Sequence, residues 1–300
     1  MHLFTDAQYE QMLPRFNEDS KISKNLYQIY LLDNDSTADD VMSNLTPEFI
    51  NNIERLKKNN PEYTYHLLSD RDAQHFIIRN YNPTIWNYYR RIDSAYLAAK
   101  ADFLRYLLLY ARGGIYLDLK SSIETPLSKV LREDDRFIVF YWDNPPEGRH
   151  HYLIPDYITK GEMVQSFIIS AQGHPIMRAV ILNVLRQIDA YNPYRNGIGF
   201  EGTLTTVGPA IYTKTIYNII TTHCTEHGTY REGKPEAEFN YKFYFAGEYV
   251  SGSYQKKLSM KDYRKSSRPV IRCNSKWLQL CNIIWLRILH AYRKIKGLPI

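Results

Sequence analysis

The chain of 300 residues is 44% apolar and 14% aromatic, enough to bury the core of one large globular domain and too apolar for a disordered chain. Its net charge of +6 is unevenly divided: residues 251–300 carry twelve Lys/Arg against the single acid Asp262, or +11, which leaves the first 250 residues at about −5. A mildly acidic body with a basic end is not the layout of a catalytic face that grips nucleic acid.

Met1 to Glu10 carries His2, Asp6 and Glu10 and no apolar run, so no secretory signal is expected and the chain is assigned to the cytosol. Asn25 to Leu32 (NLYQIYLL) reads as a buried strand. A helix is expected from about Pro47, with Ile50, Ile53, Leu56 and Lys57 at helical spacing, stopped by Asn59-Asn60-Pro61. Tyr63 to Leu68 is a second strand, Asp70 caps a short helix, and Pro83 breaks the chain. A long helix over about Asp93 to Ala111 carries the seam Leu97, Ala101, Leu104, Leu108 and Ala111, and Gly113-Gly114 ends it. Ile115 to Leu119 follows as a strand, then Phe137 to Trp142 and Met163 to Ser170, and Gly173-His174-Pro175 opens a helix to about Ala190. Strands alternating with helices predict an α/β sandwich with a largely parallel sheet.

Several features carry no signal of their own. Cys224, Cys273 and Cys281 lack metal-ligand spacing and read as free thiols. His150-His151 and the pair His223 and His227 have no accompanying acid and read as ordinary histidines, and Gly197-Ile198-Gly199 marks a tight loop. The 26 tyrosines suit sugar or base stacking as well as they suit cores.

The chemistry concentrates in Ala98 to Leu127, AAKADFLRYLLLYARGGIYLDLKSSIETPL. A buried helix delivers a Gly-Gly turn and a strand that ends in charge. Period-two alternation points Tyr116, Asp118 and Lys120 to one face. Ligands of open α/β sheets gather at the carboxyl ends of strands, where Asp118 is placed to hold a ribose hydroxyl or a metal–diphosphate. Asp102 and Arg105, at i and i+3 on the preceding helix, form either a clamp for sugar hydroxyls or an ordinary helical ion pair worth about 0.2–0.5 kcal/mol.

This segment resembles the core of the DXD-type sugar transferases of glycosyltransferase family 32, relatives of the large clostridial glucosylating toxins. The resemblance extends to Ile22-Ser23-Lys24-Asn25-Leu26-Tyr27-Gln28-Ile29-Tyr30, to Asn60-Pro61-Glu62-Tyr63-Thr64-Tyr65, to the block from Gln165 to Pro175, and to Thr206-Val207-Gly208-Pro209, covering about residues 20–220. It implies a GT-A-like α/β domain with a mostly parallel central sheet flanked by helices, a UDP- or GDP-sugar donor, and hexosyl transfer with retention to a glycan or glycolipid acceptor, as in polysaccharide biosynthesis. It also implies a donor site of Asp102, Arg105, Gly114 and Asp118, with Gln28, Ile29 and Tyr30 lining the nucleotide pocket. A binding-only relative and a nucleotide-sugar hydrolase are the alternatives.

The chain departs from the family pattern at Lys120, where a second acid is expected to ligate a divalent metal such as Mn2+ or Mg2+. Lys120 either stands in for that metal, offsetting charge on the leaving diphosphate, or faces solvent while Asp118 and a later acid, Glu124 or Glu248, hold the ion. Within the basic segment 251–300, Trp277 to Tyr292 plots as an amphipathic helix, too interrupted to span a bilayer. It either packs on the main domain, residues 1–250, or lies on an anionic membrane surface at the inner face of a membrane, which makes a lipid-linked oligosaccharide the matching acceptor.

Overall fold

The computed structural model describes residues 4–32, 35–142, 154–222, 230–243 and 263–272, together with 284, 285, 288, 291 and 292. The chain runs α1 (Asp6–Met12), β1 (Asn25–Ile29), α2 (Ala38–Asn44), α3 (Pro47–Asn59), β2 (Thr64–Leu68), α4 (Asp70–Asn80), α5 (Pro83–Arg91), α6 (Leu97–Arg112), β3 (Gly114–Leu117), β4 (Ser121–Ile123) and β5 (Phe137–Phe140). There follow β6 (Phe167–Ser170), α7 (Pro175–Ala190), α8 (Pro193–Asn196), α9 (Gly199–Thr206), α10 (Pro209–Thr222), β7 (Arg231–Gly233), α11 (Pro235–Phe239) and β8 (Tyr241–Phe243).

Six strands form one sheet in the order β2-β1-β3-β6-β5-β7, while β4 and β8 pair antiparallel beside it. β2, β1 and β3 are mutually parallel, and so are β5 and β7. β6 alone runs against its neighbours β3 and β5. The α/β class and mostly parallel sheet expected from the sequence are therefore present. The reversed strand has a consequence for the site: the residues that lead into β6 arrive at the edge where β1, β2, β3 and β5 end.

Side-chain alternation sorts the strands between two cores. Tyr27, Ile29 and Tyr116 pack with the helices α4 to α7, whereas Leu26, Ile115, Leu117 and Ile169 pack with Leu56 of α3, Phe239 and Tyr241. Helix α6 is buried almost all round from Asp102 to Ala111. Each of its fully buried leucines stabilises the fold by roughly 1.5–3 kcal/mol.

The elements differ from expectation where local chemistry intervenes. Ser69, not Asp70, caps α4, because its hydroxyl accepts from the Asp72 amide. The Asp70 carboxylate instead accepts from the Leu32 amide at 2.7 Å and the Ser36 hydroxyl at 2.8 Å. Pro83 starts α5 behind the Asn82 cap rather than breaking the chain, since a first-turn proline loses no hydrogen bond. On α3 the buried face is Phe49, Asn52, Ile53 and Leu56 rather than Ile50 and Lys57. The strand expected over Met163 to Ser170 is confined to Phe167–Ser170, with Met163 making an isolated bridge to Tyr141.

Of the basic segment, residues 263–272 pack against the start of α6. Ile271 bridges Ile92, and the buried Asp93 carboxylate pairs with Arg268 at 2.7 Å and Arg272 at 3.1 Å. Within the span expected as an amphipathic helix, the described residues are helical, and Ile284, Trp285, Ile288 and Tyr292 are exposed. Among the described residues no helix is long and apolar enough to cross a membrane. The cysteines, His150-His151 and the pair His223 and His227 lie outside the described residues.

Candidate active site

Strand β3 ends at Leu117, and Asp118 opens a tight turn in which the Ser121 amide donates to the Asp118 carbonyl at 2.8 Å. The strand is thus shorter than the expected Ile115 to Leu119, and Lys120 lies in the turn, exposed, rather than beside Asp118 on a continuing strand face. Asn52, buried on α3, fixes this turn by donating to the carbonyls of Leu119 at 3.3 Å and Ser121 at 2.9 Å. Nothing in the sequence pattern singled out Asn52; a polar residue on a buried helix face was the only signal.

Arg105 ties the cluster together. Its side chain, 6% exposed, reaches Asp102 at 2.6 Å and Asp118 at 3.2 Å, and donates to the Gln165 carbonyl at 3.0 Å. The guanidinium also lies 4.4 Å from the centre of the Tyr116 ring, whose hydroxyl donates to Asp118 Oδ1 at 2.7 Å. The helical i, i+3 pair is therefore part of a buried four-residue network that joins α6 to the end of β3.

Burial raises the Asp102 carboxyl to about 7; Arg105 opposes that rise, and the negative charges of Asp118 and Glu162 add to it. Asp118 keeps a side chain 26% exposed, so it is the acid of the cluster that meets solvent.

The other expected donor residues have different places. Gln28 is buried and lies beside the cluster: its amide donates to the Asp118 carbonyl at 3.2 Å and accepts from the Tyr65 hydroxyl at 2.8 Å. Ile29 belongs to the core beneath α4 to α7, and Tyr30 to a smaller core with Val41, Phe49 and Leu119. Gly114 stands at the opposite end of β3, roughly 13 Å of strand away from Asp118. Its φ of +110° and the 2.5 Å that a Cβ would leave to the Asn25 carbonyl oxygen explain the glycine by packing.

Glu124 turns to Arg55 at 3.3 Å, and Glu248 lies outside the described residues. Among the described residues no three acidic, histidine or cysteine side chains gather as metal ligands. Among the described residues Asp118 offers one carboxylate, the Lys120 ammonium has no lone pair to donate, and Glu124 is paired with Arg55.

The reversed strand supplies residues the sequence reading missed. The Asp118 amide donates to the Ser166 carbonyl at 2.9 Å, and the Tyr241 hydroxyl bonds the hydroxyls of Ser166 at 2.5 Å and Ser121 at 3.1 Å. Gln165 and Ser166 stood in a block already singled out, but only the strand order reveals that they adjoin Asp118. On the other flank, beyond β1 and β2, a cavity of about 380 Å³ is lined by Asp70, Gln74, His75, Trp86, Tyr89 and Lys100 among others. Lys100 lies about 140–160° round α6 from Asp102 and Arg105, so the cavity lies on the other face of that helix from the cluster.

An α/β sheet whose carboxyl edge carries a buried Asp–Arg–Asp cluster is the architecture of a ligand-binding α/β domain, with the ligand laid across the strand ends. The comparisons with known proteins narrow that class. Residues 46–137 match the family model of the glycosyltransferase sugar-binding region containing the DXD motif, a stretch that includes Asp102, Arg105, Asp118 and Lys120. The resemblance read from the sequence thus holds over this stretch.

The chain is similar to the initiation-specific alpha-1,6-mannosyltransferase of Candida albicans, 25% identical over 183 residues, which cover 56% of this chain and 44% of the relative. It is also similar to inositol phosphoceramide mannosyltransferase 3 of Schizosaccharomyces pombe, 30% identical over 136 residues, 45% of this chain and 32% of that one. The chain therefore spans less than half the length of the curated relatives it matches. Among solved structures, the PaToxG glycosyltransferase overlaps 85% of this chain and 90% of its own at 14% identity, with a TM-score of 0.46.

Proposed function

We propose that this chain is a glycosyltransferase that moves a hexosyl unit from a UDP- or GDP-sugar to a carbohydrate acceptor with retention of configuration. The observation that carries the reading is the Arg105 bridge, which holds Asp102 and Asp118 at 2.6 and 3.2 Å on the carboxyl edge of the sheet. In this reading Asp102 and Arg105 bind the donor sugar and Asp118 its ribose and diphosphate, while the nucleoside extends toward the β1–β2 flank. The acceptor oxygen bonds to the anomeric carbon as the bond to the diphosphate oxygen breaks on the same face, and the proton passes to the departing diphosphate. Lys120, rather than a protein-held ion, offsets the charge on that leaving group. The names of the relatives make mannosyl the first unit to try.

The same proposal puts the protein in the cytoplasm at the inner face of a membrane, acting on a lipid-linked oligosaccharide. Its support is the twelve Lys/Arg of residues 251–300 and the exposed Ile284, Trp285, Ile288 and Tyr292. The test is a screen for nucleoside diphosphate release from UDP- and GDP-sugars, with manganese and with EDTA, in wild type and Asp118→Ala. Release from one donor that disappears in the variant is expected, and its survival in EDTA supports the role of Lys120. Binding of a donor without release, with every glycan tried, means a binding-only protein; release that ignores acceptors means a hydrolase.

A further inference from the structure

The turn from Asp118 to Ser121 is held from two sides. The Asp118 carbonyl accepts from the Ser121 amide at 2.8 Å and from the Gln28 side-chain amide at 3.2 Å, while the Leu119 and Ser121 carbonyls accept from the Asn52 side-chain amide at 3.3 and 2.9 Å. Of the N–H groups, that of Asp118 donates to the Ser166 carbonyl at 2.9 Å and that of Ser121 closes the turn. The two between them, on Leu119 and Lys120, donate to no described residue. Gln28 and Asn52 are 0% and 2% exposed and come from different elements, β1 and α3. The peptide bonds here are trans, and in a trans peptide the C=O of one residue and the N–H of the next point in opposite directions. With the Asp118 and Leu119 carbonyls aimed at the two buried amides, the Leu119 and Lys120 N–H groups face away from them, at the carboxyl edge of the sheet where Lys120 is exposed.

We propose that this turn is the diphosphate cradle of the donor site: the Leu119 and Lys120 N–H groups donate to phosphate oxygens, the Lys120 ammonium adds its charge, and Gln28 and Asn52 are the positioning residues that keep both N–H groups aimed outward. The inference rests on the donor reading above and names the groups that receive the leaving half of the donor. Consecutive N–H groups in a turn form an anion-binding concavity whose partial charges are fixed. Because buried amides already hold the turn, its donors need no rearrangement when charge arrives, the condition under which such dipoles act most strongly. The cradle also resolves a conflict of sign. Asp118 brings a carboxylate to the same strand end, which repels a diphosphate, and an exposed ammonium is weakened by water. Two N–H donors on the residues directly after Asp118 supply short-range attraction, as hydrogen bonds to a charged acceptor. Gln28, expected at the nucleotide, thereby acts one step removed from it: it holds the carbonyl whose peptide partner is the Leu119 N–H.

The test uses the full chain with isotope-labelled leucine and lysine, in EDTA, and takes UDP, GDP, uridine and guanosine as probes. Affinity is measured by calorimetry and the Leu119 and Lys120 amide signals are followed by NMR, with Leu119→Met and Lys120→Arg serving only to assign them. The nucleoside diphosphate that binds is expected to move both signals downfield, and its nucleoside to leave them in place. Asn52→Leu keeps the size of the side chain but cannot donate to the two carbonyls. It is expected to raise Kd about tenfold or more, the scale of a lost hydrogen bond to a charged group, and any binding that remains leaves both signals unmoved. Gln28→Met is expected to act in the same direction through the Leu119 signal. A wild type that binds UDP or GDP with both signals unmoved overturns the cradle and leaves the donor reading standing, a result that needs no variant to fold. A nucleoside that moves the signals as its diphosphate does also overturns it, as does Asn52→Leu with the wild-type Kd. Binding that appears only when manganese replaces EDTA overturns it too, because a metal then holds the diphosphate. A wild type that binds neither nucleotide, in EDTA or in manganese, defeats the donor reading itself, a result separate from the others.

Discussion

Replacing Arg105 by methionine keeps most of the buried stem and removes the guanidinium from between two carboxylates. The wild-type side chain is 6% exposed and makes ion pairs at 2.6 and 3.2 Å, a hydrogen bond to the Gln165 carbonyl and a stack on Tyr116. Breaking a buried pair from one side leaves an uncompensated charge and costs about 3–5 kcal/mol, or a fall in Tm of roughly 6–20 °C for a domain of this size. The cost should depend on pH. Asp102 is already raised to about 7, and Arg105 is the group that opposes the rise; without it Asp102 stays protonated to higher pH and sheds its charge. Urea unfolding at pH 6 and pH 8.5 measures this, with the larger loss expected at pH 8.5, and Asp102→Asn in the same background should restore part of it. A loss below about 1 kcal/mol, or one equal at both pH values, would mean that the cluster is solvated and the bridge carries no weight.

Three further outcomes follow from single residues. Because the folded Asp102 carboxyl lies near 7 and its ordinary value is 3.8, the proton it holds contributes stability that is complete below about pH 3.8 and lost as pH rises through about 7; in Asp102→Asn the unfolding midpoint should be flatter across that window. Gly114→Ala forces a Cβ to 2.5 Å from the Asn25 carbonyl oxygen at φ +110°, so it should destabilise by about 1–3 kcal/mol, while nucleotide affinity of the folded fraction, read by calorimetry, stays at the wild-type value. Lys120→Asp restores the second acid of the DXD pattern; nucleoside diphosphate release should become manganese-dependent and EDTA-sensitive, and identical behaviour in wild type and variant would remove Lys120 from the charge balance.

The grouping of Asp102, Arg105 and Asp118 was legible in the sequence because it is local. Asp102 and Arg105 share a helix face by spacing, a Gly-Gly stop fixes where the helix ends, and Asp118 lies a strand's length beyond it. The sheet class was legible for the same reason, as alternation of short apolar runs with helical seams. Legibility failed where position depends on partners distant in the chain. The Asp118 to Ser121 turn is pinned by Asn52, 67 and 69 residues before the two carbonyls it holds, and no spacing rule links them. The core packing of Ile29 was equally invisible to spacing: it is buried because its five-residue strand lies between two parallel partners, and Tyr30, just past the strand, packs with Val41, Phe49 and Leu119. The direction of β6 was equally unreadable: Phe167-Ile168-Ile169 is a short apolar run, which fits a strand of either direction.

The lysine at position 120 becomes intelligible once charges around β3 are counted. Asp102 and Asp118 share Arg105 at 2.6 and 3.2 Å, while Lys120 is an exposed cation two residues along the chain from Asp118; the formal charges of the four residues sum to zero when both acids are ionised. A second acid in place of Lys120 would make the same sum negative by two. With the Asp102 carboxyl near 7, a further negative charge nearby would favour its protonation. Arg105 is fully committed to the two acids and the Gln165 carbonyl, whereas Lys120 is exposed and makes no ion pair with a described residue. Arg105 is therefore a charge fixed inside the protein, and Lys120 a charge held at its surface.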